Sequence, residues 1–560
     1  MYLRTTSRRR KDGSQVRYLQ LAHNEWDAKA GQAVARVIHS FGREDELDRA
    51  AIARLVASLT RVLRPEEAFE AQAPGELSFV DSRPMGGACL LDGLWRRLGI
   101  DQVLLRLAGS GRMSARVERV LFALVANRCL APSSKLAASA WAAERVALPG
   151  VDDLDADACY RAMDWLLAIE ADLAKEVYWQ VADLMSLEVD LLFFDTTSTY
   201  FEIPDADPPE EADPEARMGF RAFGHSKDHR PDLPQVVVGM AVTRTGIPIR
   251  VWTFPGNTND HDLIRQAKDD LRDWRLSRVV WVADRAFSSE VNRRHLQRAG
   301  GNYIVGEKLR GDSQEAKAAL SRQGRYKTVA DNLRVKQVTI DDGEMRDRFV
   351  ICLNPKEEER DRAVRAALLA RLEQAIEGSD AMSQAKRADL AAQVRAKAGL
   401  SRFLRVTPSG LLRIDRAAVK AEERLDGKFL LRSADPTLSA EDIALGYKQL
   451  LEVERAWRDM KTHLDLRPVF HRLEERIRAH VILCWLALLL IRIAELATGD
   501  TWRNLRHELD RMHLGTFQGP AGLIRQRTET TPGQRAILRA LDLPEPERFL
   551  QLEPAASHAA

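Results

Sequence analysis

Two apolar segments of this sequence each carry an aspartate where hydrophobic residues give way to polar ones. The first, LLFFDTTSTY, holds Asp195, and the second, RVVWVADRAF, holds Asp284. Both segments are rich in the β-branched, aliphatic and aromatic residues of buried strands, which predicts two strands that end at their aspartates. Two carboxylates on neighbouring strands can hold a hard divalent cation, because such cations prefer oxygen ligands.

The segment GYKQLLEVERAWRDMKTHLDL offers a third carboxylate. Its residues recur at helical spacing, and one face carries Tyr447, Leu450, Glu454 and Lys461. Three carboxylates suit a pair of divalent ions about 3.5 to 4 Å apart, which serve phosphodiester chemistry by activating the nucleophile and stabilising the leaving oxygen. The sequence therefore predicts a metal-dependent phosphoryl-transfer site.

Composition sets the broad class of the protein. With 560 residues, of which 45% are hydrophobic and 30% charged, the chain is expected to fold around more than one core. The 84 Lys and Arg nearly balance the 82 Asp and Glu, so net charge does not reveal a nucleic-acid partner. Locally, however, the first 18 residues and the stretches 447–480 and 502–539 are basic.

Cysteines and apolar runs indicate the compartment. The five cysteines show no zinc-like or disulfide-like spacing, which favours a reducing cytoplasm. The N-terminus lacks the apolar core of a signal peptide. The apolar run 481–491 is too short for a membrane span, which needs about 20 residues, and is expected to be a buried core helix. We predict a cytoplasmic protein without membrane contact.

Local patterns predict an α/β protein with a mixed sheet flanked by helices. The expected segments are a basic module with a helical connector (1–75), a helical domain (76–186), the first part of the α/β core (187–305), an α+β insertion (306–440), the second part of the core with the glutamate helix (441–500), and basic C-terminal helices with a tail (501–560). The acidic, Pro-rich stretch 202–220 is expected to be a surface loop.

The chain resembles the DDE transposases encoded by bacterial insertion sequences. Asp195, Asp284 and Glu454 fit the acidic triad of that family, and Tyr447, Glu454 and Lys461 fit its YREK signature. The segments GHSKDHRPDLPQVVVGMAVTRTGIPIRVWTFPGNTND and VADRAF are also similar to the family. The resemblance covers about 191–497 and implies an RNase H-like fold that a β-containing insertion interrupts before the glutamate helix.

The same resemblance implies a function. Two Mg²⁺ or Mn²⁺ ions on the triad would cleave DNA at the ends of the element, and the freed 3'-hydroxyl would attack target DNA. The implied partners are terminal inverted repeats, target DNA and a second copy of the chain in a synaptic dimer, with no small-molecule substrate. Such a protein would work at the nucleoid. The 86–185 helices and the basic N-terminal segment are the candidates for end recognition.

The signature differs at one position, because Leu450 stands where the family has Arg. Its phosphate contact is then expected from Lys448, Arg455 or Arg458. Tyr447 and Lys461 are expected to touch the DNA backbone, and Arg285 is a further candidate for DNA contact. Glu452 competes with Glu454, but two residues on a helix point about 200° apart, and the spacing from Tyr447 and Lys461 selects Glu454.

Simpler interpretations stand beside these. Asp195 could cap a turn with Thr196 and its neighbours, Asp284 could pair with Arg285, and Tyr447 and Lys461 could be ordinary helix residues. The polar segments GHSKDHRPD and GNTND are expected to shape turns, with Asp260 capping the next helix. At the level of function, the alternatives are a metal-dependent nuclease of the same fold and a non-catalytic DNA-binding protein derived from a transposase.

Overall fold

The computed structural model describes residues 1–10, 15–27, 31–63, 77–109, 112–151, 153–184, 190–208, 219–274, 276, 279–310, 313–341, 346–467, 469–519 and 522–554. More than half of the predicted Pro-rich surface loop therefore lies outside the described residues. The chain divides into two compact units, one formed by 1–86, 508–536 and 544–560 and the other by 87–507 and 537–543.

The first unit opens with a small antiparallel sheet. Its three strands are β1 (Tyr2–Arg9), β2 (Gln15–Asp27) and β3 (Gln32–Arg43). Helix α1 (Arg49–Leu63) and strand β4 (Ser78–Pro84) follow. The sheet has a more buried face and an exposed face, because Val16 and Ala22 are buried whereas the residues that alternate with them are half-buried or exposed.

The second unit begins with six helices, where apolar residues at helical spacing predicted a helical region. They are α2 (Gly86–Arg97), α3 (Ile100–Ala108), α4 (Arg112–Leu130), α5 (Lys135–Glu144), α6 (Ala156–Ala168) and α7 (Glu170–Leu184). Ser134 and Asp155 cap α5 and α6, since each side chain accepts a hydrogen bond from a backbone N–H in the first turn of its helix.

The predicted RNase H-like fold is confirmed by the topology of the central sheet. Its elements are β5 (Leu191–Tyr200), β6 (Gln235–Thr243), β7 (Pro248–Pro255), α8 (Asp260–Asp270), β8 (Val280–Ala283), α9 (Glu290–Gln297) and β9 (Asn302–Glu307). In space the strands run β7-β6-β5-β8-β9. The first three are antiparallel, whereas β8 is parallel to β5 and β9 is parallel to β8.

The predicted β-containing insertion follows β9. It comprises α10 (Gln314–Ser321), β10 (Lys327–Ala330), β11 (Leu333–Asp341), β12 (Arg346–Leu353), α11 (Pro355–Ile376), α12 (Gln384–Arg395), α13 (Ala398–Ser401), β13 (Leu404–Val406), β14 (Leu412–Ile414), α14 (Arg416–Glu423) and β15 (Lys428–Ser433). Strand β15 pairs antiparallel with β9, and β12, β11 and β10 follow outward. The insertion thus extends the central sheet to nine strands.

The glutamate helix differs from its prediction as one continuous helix. It consists of α15 (Ala440–Lys448) and α16 (Leu451–Thr462). The backbone N–H groups of Gln449 and Leu450 bond to carbonyls three residues earlier, each at 3.0 Å. This tighter turn ends α15 before α16 begins.

Helix α17 (Glu474–Thr498) contains the apolar run. This helix is longer than the apolar run 481–491. Its length and composition would allow it to cross a membrane. However, 78% of its most apolar stretch is buried inside the protein. It packs against α4, α6 and β7. The prediction of a buried core helix is confirmed.

The C-terminal region contains strands where the sequence predicted only helices. Its elements are α18 (Trp502–Leu509), β16 (His513–Gly519), β17 (Gly522–Arg527), α19 (Pro532–Ala540) and β18 (Phe549–Pro554). The three strands join β4 in a sheet ordered β18-β17-β16-β4. Pairing with β4, more than 400 residues earlier in the chain, is a long-range contact that local charge does not reveal.

Candidate active site

Strand pairing brings the two aspartates to the same level of the sheet. The last residue pair between parallel strands β5 and β8 is Phe194 with Ala283, and Asp195 and Asp284 come next on each strand. Strand β8 ends at that point, but β5 does not: it continues to Tyr200, paired with β6. The prediction that the first strand ends at Asp195 is therefore wrong, and so is a turn at Thr196, because β6 supplies backbone partners to the buried Thr and Ser residues.

Aromatic packing fixes the strand beneath the carboxylates. The ring of Phe194 lies 5.4 Å from Phe287, 5.9 Å from Trp252 and 6.3 Å from Trp281, in edge-to-face geometry. Phe194 itself is fully buried. Such aromatic contacts add specificity to hydrophobic burial, so Asp195 stands on a rigid part of the core.

Helix α16 supplies the third carboxylate. Its buried residues Val453, Ala456, Trp457 and Met460 recur at helical spacing and pack toward β5 and β6. Glu454 lies beside this stripe and lines the same cavity as the two aspartates. Glu452 does not line that cavity. Its side chain instead lies against Gly246 in the turn between β6 and β7, where Oε2 is 2.9 Å from the position that a Cβ on this glycine would take.

The cavity has a volume of about 810 Å³ and combines acidic and basic walls. Its acidic residues are Asp195, Asp284, Glu307 and Glu454, and its basic residues are Arg285, Lys308, Arg310, Lys428 and Lys448. Two of these charges are already paired, Glu307 with the buried Arg432 and Arg310 with Glu422. A carboxylate centre within a basic rim suits a phosphodiester held beside metal ligands.

Burial and neighbouring charge perturb Asp195. Burial raises the pKa of Asp195 to about 6, the ammonium of Lys227 opposes that rise, and the charges of Asp284 and Glu454 add to it. Asp284 and Glu454 therefore both repel the charge of Asp195 across the cavity. A bound cation would relieve that repulsion.

Lys227 is a site residue that sequence reasoning missed. Its Nζ donates hydrogen bonds to the carbonyl oxygen and the Oγ1 of Thr196, both at 2.5 Å, and forms an ion pair of 3.0 Å with Asp260. In the sequence, the only signal for a role of Lys227 at the site is the similarity of the segment GHSKDHRPD to the family, and this segment is predicted to shape turns.

The expectation that Asp260 caps α8 is wrong, because Asn259 is the capping residue.

Lys461 does not line the cavity that holds Asp195, Asp284 and Glu454. Its Nζ lies 2.8 Å from Oδ1 of Asp228, whose other oxygen lies 2.7 Å from Arg467. The Lys461 side chain is only 13% exposed, and burial lowers its pKa. Arg467 also lies over the ring of Tyr200, at 5.3 Å.

Tyr447 contacts the carboxylate of Asp284 directly. Its hydroxyl donates a hydrogen bond of 3.2 Å to Oδ1 of Asp284, and its ring stacks on Phe429 of β15 at 6.2 Å. Burial and the charge of Asp284 raise the pKa of Tyr447, so the hydroxyl keeps its proton. Neither salt bridges nor hydrogen bonds in the described ranges join Asp284 to Arg285.

The remaining candidates for DNA contact differ in their surroundings. Lys448 lines the cavity, with its Nζ 3.4 Å from Oδ1 of Asn332. Arg455 forms an ion pair of 3.1 Å with Glu495 and does not line the cavity, and Arg458 is exposed. Leu450, at the family's Arg position, is 9% exposed and forms part of the cavity wall.

The donor set fits divalent metal ions, although the ligands are not preassembled. Within the described ranges, no group of three or more His, Cys, Asp or Glu side chains is arranged to hold an ion. Asp195, Asp284 and Glu454 nevertheless share one cavity and offer only oxygen ligands, and burial together with the charges of the other two raises the pKa of Asp195. Oxygen donors with excess negative charge are what Mg²⁺ and Mn²⁺ prefer.

Comparison with known proteins agrees with this chemistry. A family model described as "Transposase DDE domain" matches residues 220–490, and one described as "IS1634 family transposase, N-terminal domain" matches residues 3–70. The first match includes Asp284 and Glu454 but begins after Asp195. Among curated proteins, none matches the sequence. A solved piggyBac transposase synaptic complex with hairpin DNA is similar at 9% identity and a TM-score of 0.36, covering 76% of this chain and 80% of the other.

Proposed function

Because this chain is a DDE transposase of a bacterial insertion sequence, an enzyme class that cleaves and joins DNA with divalent metal ions, we propose that Asp195, Asp284 and Glu454 are its catalytic triad. The observation that supports this assignment most directly is their position on one cavity, where two adjacent strands and α16 meet. We further propose that the triad holds two ions, Mg²⁺ or Mn²⁺.

Bound there, the ions would activate the attacking oxygen and stabilise the leaving one. The protein itself positions the groups that would hold these ions. Asp195 and Asp284 are held at one level by strand pairing, Tyr447 orients Asp284 through its hydroxyl, and Lys227 holds the strand at Thr196. In the first step water attacks a phosphodiester at the transposon end, so that the flanking strand leaves and the element keeps a 3'-hydroxyl.

In the second step that 3'-hydroxyl attacks a phosphodiester of target DNA and displaces a target 3'-oxygen. One phosphodiester forms as another breaks, so no external energy source is needed. No side chain has to form a covalent intermediate. The substrates are terminal inverted repeats and target DNA, and two copies of the chain act together in a synaptic dimer at the nucleoid.

We propose that the basic rim of the cavity binds the DNA backbone. Lys448, Arg285, Lys308 and Lys428 line the cavity with the triad, and their ammonium and guanidinium groups can contact phosphates. Lys448 is the best placed to replace the cation that Leu450 lacks, since it lines the same cavity wall and lies two residues before Leu450, at the end of α15. Arg455 is paired with Glu495, and Lys461 with Asp228. Arg458, which is exposed, is therefore assigned to an outer backbone contact, whereas Lys461 is assigned to the fold.

Cleavage and joining of DNA test the assignment. Purified protein is incubated with Mg²⁺, a labelled duplex that carries the element's own end, and a plasmid target. We expect wild type to cleave the end and join it to the plasmid, and Asp195→Ala, Asp284→Ala and Glu454→Ala to do neither while still binding the duplex. Cleavage at the wild-type rate in any of the three variants would remove that residue from the triad.

The joining product separates transposition from simple nuclease activity. A nuclease of the same fold would release cut ends without linking them to the plasmid. Light scattering of the protein with and without end DNA tests the synaptic dimer, for which two chains per pair of ends are expected. A matched pair of variants tests the rim: Lys448→Ala should weaken binding of the end duplex, whereas Arg455→Ala should bind like wild type.

A further inference from the structure

Positive charge is concentrated in the small N-terminal sheet. Residues 1–43 contain nine Lys and Arg against three Asp and Glu, whereas the rest of the chain contains 75 against 79. This segment therefore carries a net positive charge and the remainder a net negative one. Concentrated basic charge on one small element is the electrostatic footprint of nucleic-acid binding.

Several arginines of this sheet have no acidic partner in the described ranges. Arg36 pairs with Glu25 at 2.9 Å. For Arg4, Arg8 and Arg9 on β1, by contrast, the described residues provide no ion pair. Arg17 has only a contact of 3.9 Å with Glu44, and both side chains are about half exposed or more, so solvent screens it.

These features meet on one face of the β1–β2 strand pair. Arg9 lies opposite Gln15, and Ser7 lies opposite Arg17, so these four side chains share a face. Thr5 continues the same face opposite the half-buried Leu19, and Arg9, Gln15, Ser7, Arg17 and Thr5 are all exposed. We call this group the β1–β2 face. Nε2 of Gln15 donates a hydrogen bond of 3.0 Å to Oγ of Ser7.

The opposite face of the strand pair is more buried. Val16 and Ala22 are buried there, and Arg4 and Thr6 are half-buried. The β1–β2 face is thus polar, exposed and rich in hydrogen-bond donors. An apolar docking surface would instead expose a continuous hydrophobic patch.

The chemistry of the β1–β2 face matches the edges of base pairs in the major groove. A two-stranded β-ribbon fits this groove, which is about 12 Å wide. Arg pairs with O6 and N7 of guanine, Gln pairs with N6 and N7 of adenine, and Ser or Thr can contact either. Gln, Ser and Thr also contact phosphates, so a preference for one base sequence is what distinguishes base readout from backbone binding on this face.

We propose that the β1–β2 face lies in the major groove of the transposon end and reads its sequence. This inference rests on the proposed function, because it assigns one step of it, end recognition, to one surface. The helices α2 to α7 are then not needed to read the base sequence of the transposon end. Arg9 and Arg17 would make the principal base contacts, and Gln15 would contact an adenine.

Binding of the full chain to two duplexes tests the proposal. One duplex carries the element's terminal sequence, and the other carries the same bases in scrambled order. We expect Arg9→Ala and Arg17→Ala each to lower the preference for the terminal duplex by about 5- to 150-fold. Arg9→Lys keeps the charge but loses the paired donors, so it should lose preference while binding the scrambled duplex like wild type.

The matched control is Arg36→Ala, another exposed arginine of the same sheet but one that is paired with Glu25. It should keep the wild-type preference. The proposal is overturned if Arg9→Ala and Arg17→Ala keep that preference, if they lose affinity equally for both duplexes, or if Arg36→Ala loses as much as they do. Arg36→Ala should also cleave a saturating terminal duplex at the wild-type rate. Asp195→Ala should keep the wild-type preference for the terminal duplex without cleaving it, which separates failure of this proposal from failure of the proposed triad.

Discussion

The hydroxyl of Tyr447 and the carboxylate of Asp284 are joined by a hydrogen bond of 3.2 Å. The sequence led us to expect this tyrosine at the DNA backbone, and the structure instead gives it a partner within the triad. Tyr447 is therefore a positioning residue for Asp284 in the free protein.

Replacing Tyr447 by Phe tests that role. The variant keeps the ring that stacks on Phe429 and removes only the donor. A hydrogen bond to a charged group is worth about 1.5 to 3 kcal/mol, so we expect end cleavage to slow by about 10- to 100-fold, with unchanged affinity for the end duplex. Loss of affinity without loss of cleavage at saturating DNA would instead place the hydroxyl on a phosphate.

The two glutamates of α16 form a natural pair of variants. Glu454 lines the catalytic cavity, and Glu452 faces Gly246. We expect Glu454→Gln to lose cleavage in Mg²⁺ and Glu452→Gln to keep it, because the amide preserves size while removing the charge that a metal ion needs. The measurement is the rate of end cleavage under saturating DNA. Equal loss in both variants would indicate a general effect on α16.

Asp195 makes both activity and stability depend on pH. Its pKa of about 6 lies above the ordinary value of 3.8, so the folded chain holds this proton more tightly than the unfolded chain does. The stability that the group contributes is complete below pH 3.8 and is lost as pH rises through 6. At pH 7.5 the ionised group costs up to about 3 kcal/mol.

We therefore expect Asp195→Asn to melt at a higher temperature than wild type at pH 7.5 without metal, and at about the same temperature at pH 4. Adding Mg²⁺ should raise the melting temperature of wild type more than that of the variant. Cleavage by wild type should increase between pH 5 and 7, because the ligand must be ionised. A variant that melts below wild type at pH 7.5 would contradict the assigned cause.

The ion pairs of Asp228 are expected to stabilise the fold. Asp228 is 11% exposed and holds both Lys461 and Arg467. Asp228→Ala leaves these cations without their partner, which should cost about 3 kcal/mol and lower the melting temperature. Asp232→Ala is the control, since its pair with Arg230 is exposed and its loss should leave melting unchanged. Equal melting of the two variants would mean that the Asp228 cluster contributes nothing.

Local sequence patterns were enough for some parts of the site. Apolar strands around Asp195 and Asp284 and the helical spacing around Glu454 predicted the elements that bring the three residues to one cavity. The side chains that form hydrogen bonds around these three residues were not predictable from local sequence. Lys227 bonds to Thr196, and Tyr447 to Asp284, across 31 and 163 residues of sequence. Which polar groups meet over such distances is decided by tertiary packing, not by local periodicity.

The same limit applies to the fold. An RNase H-like fold was implied by the family resemblance, but the strand order β7-β6-β5-β8-β9, the full length of β5 and the place of β15 in the sheet were not. Thr196 and its neighbours look like turn formers until β6 provides a partner strand. The C-terminal strands likewise depend on β4.

The pairing of β15 with β9 has a consequence for how such a chain can acquire an insertion. Without it, β9 would be the last strand on its side of the catalytic sheet and would present unpaired backbone groups, a template for aggregation. The inserted strands satisfy those groups, and β15 also contributes Phe429 to the wall beside Tyr447. The insertion covers the β9 edge of the sheet, so a chain without it would expose that edge and lose one wall of the cavity that holds the proposed triad.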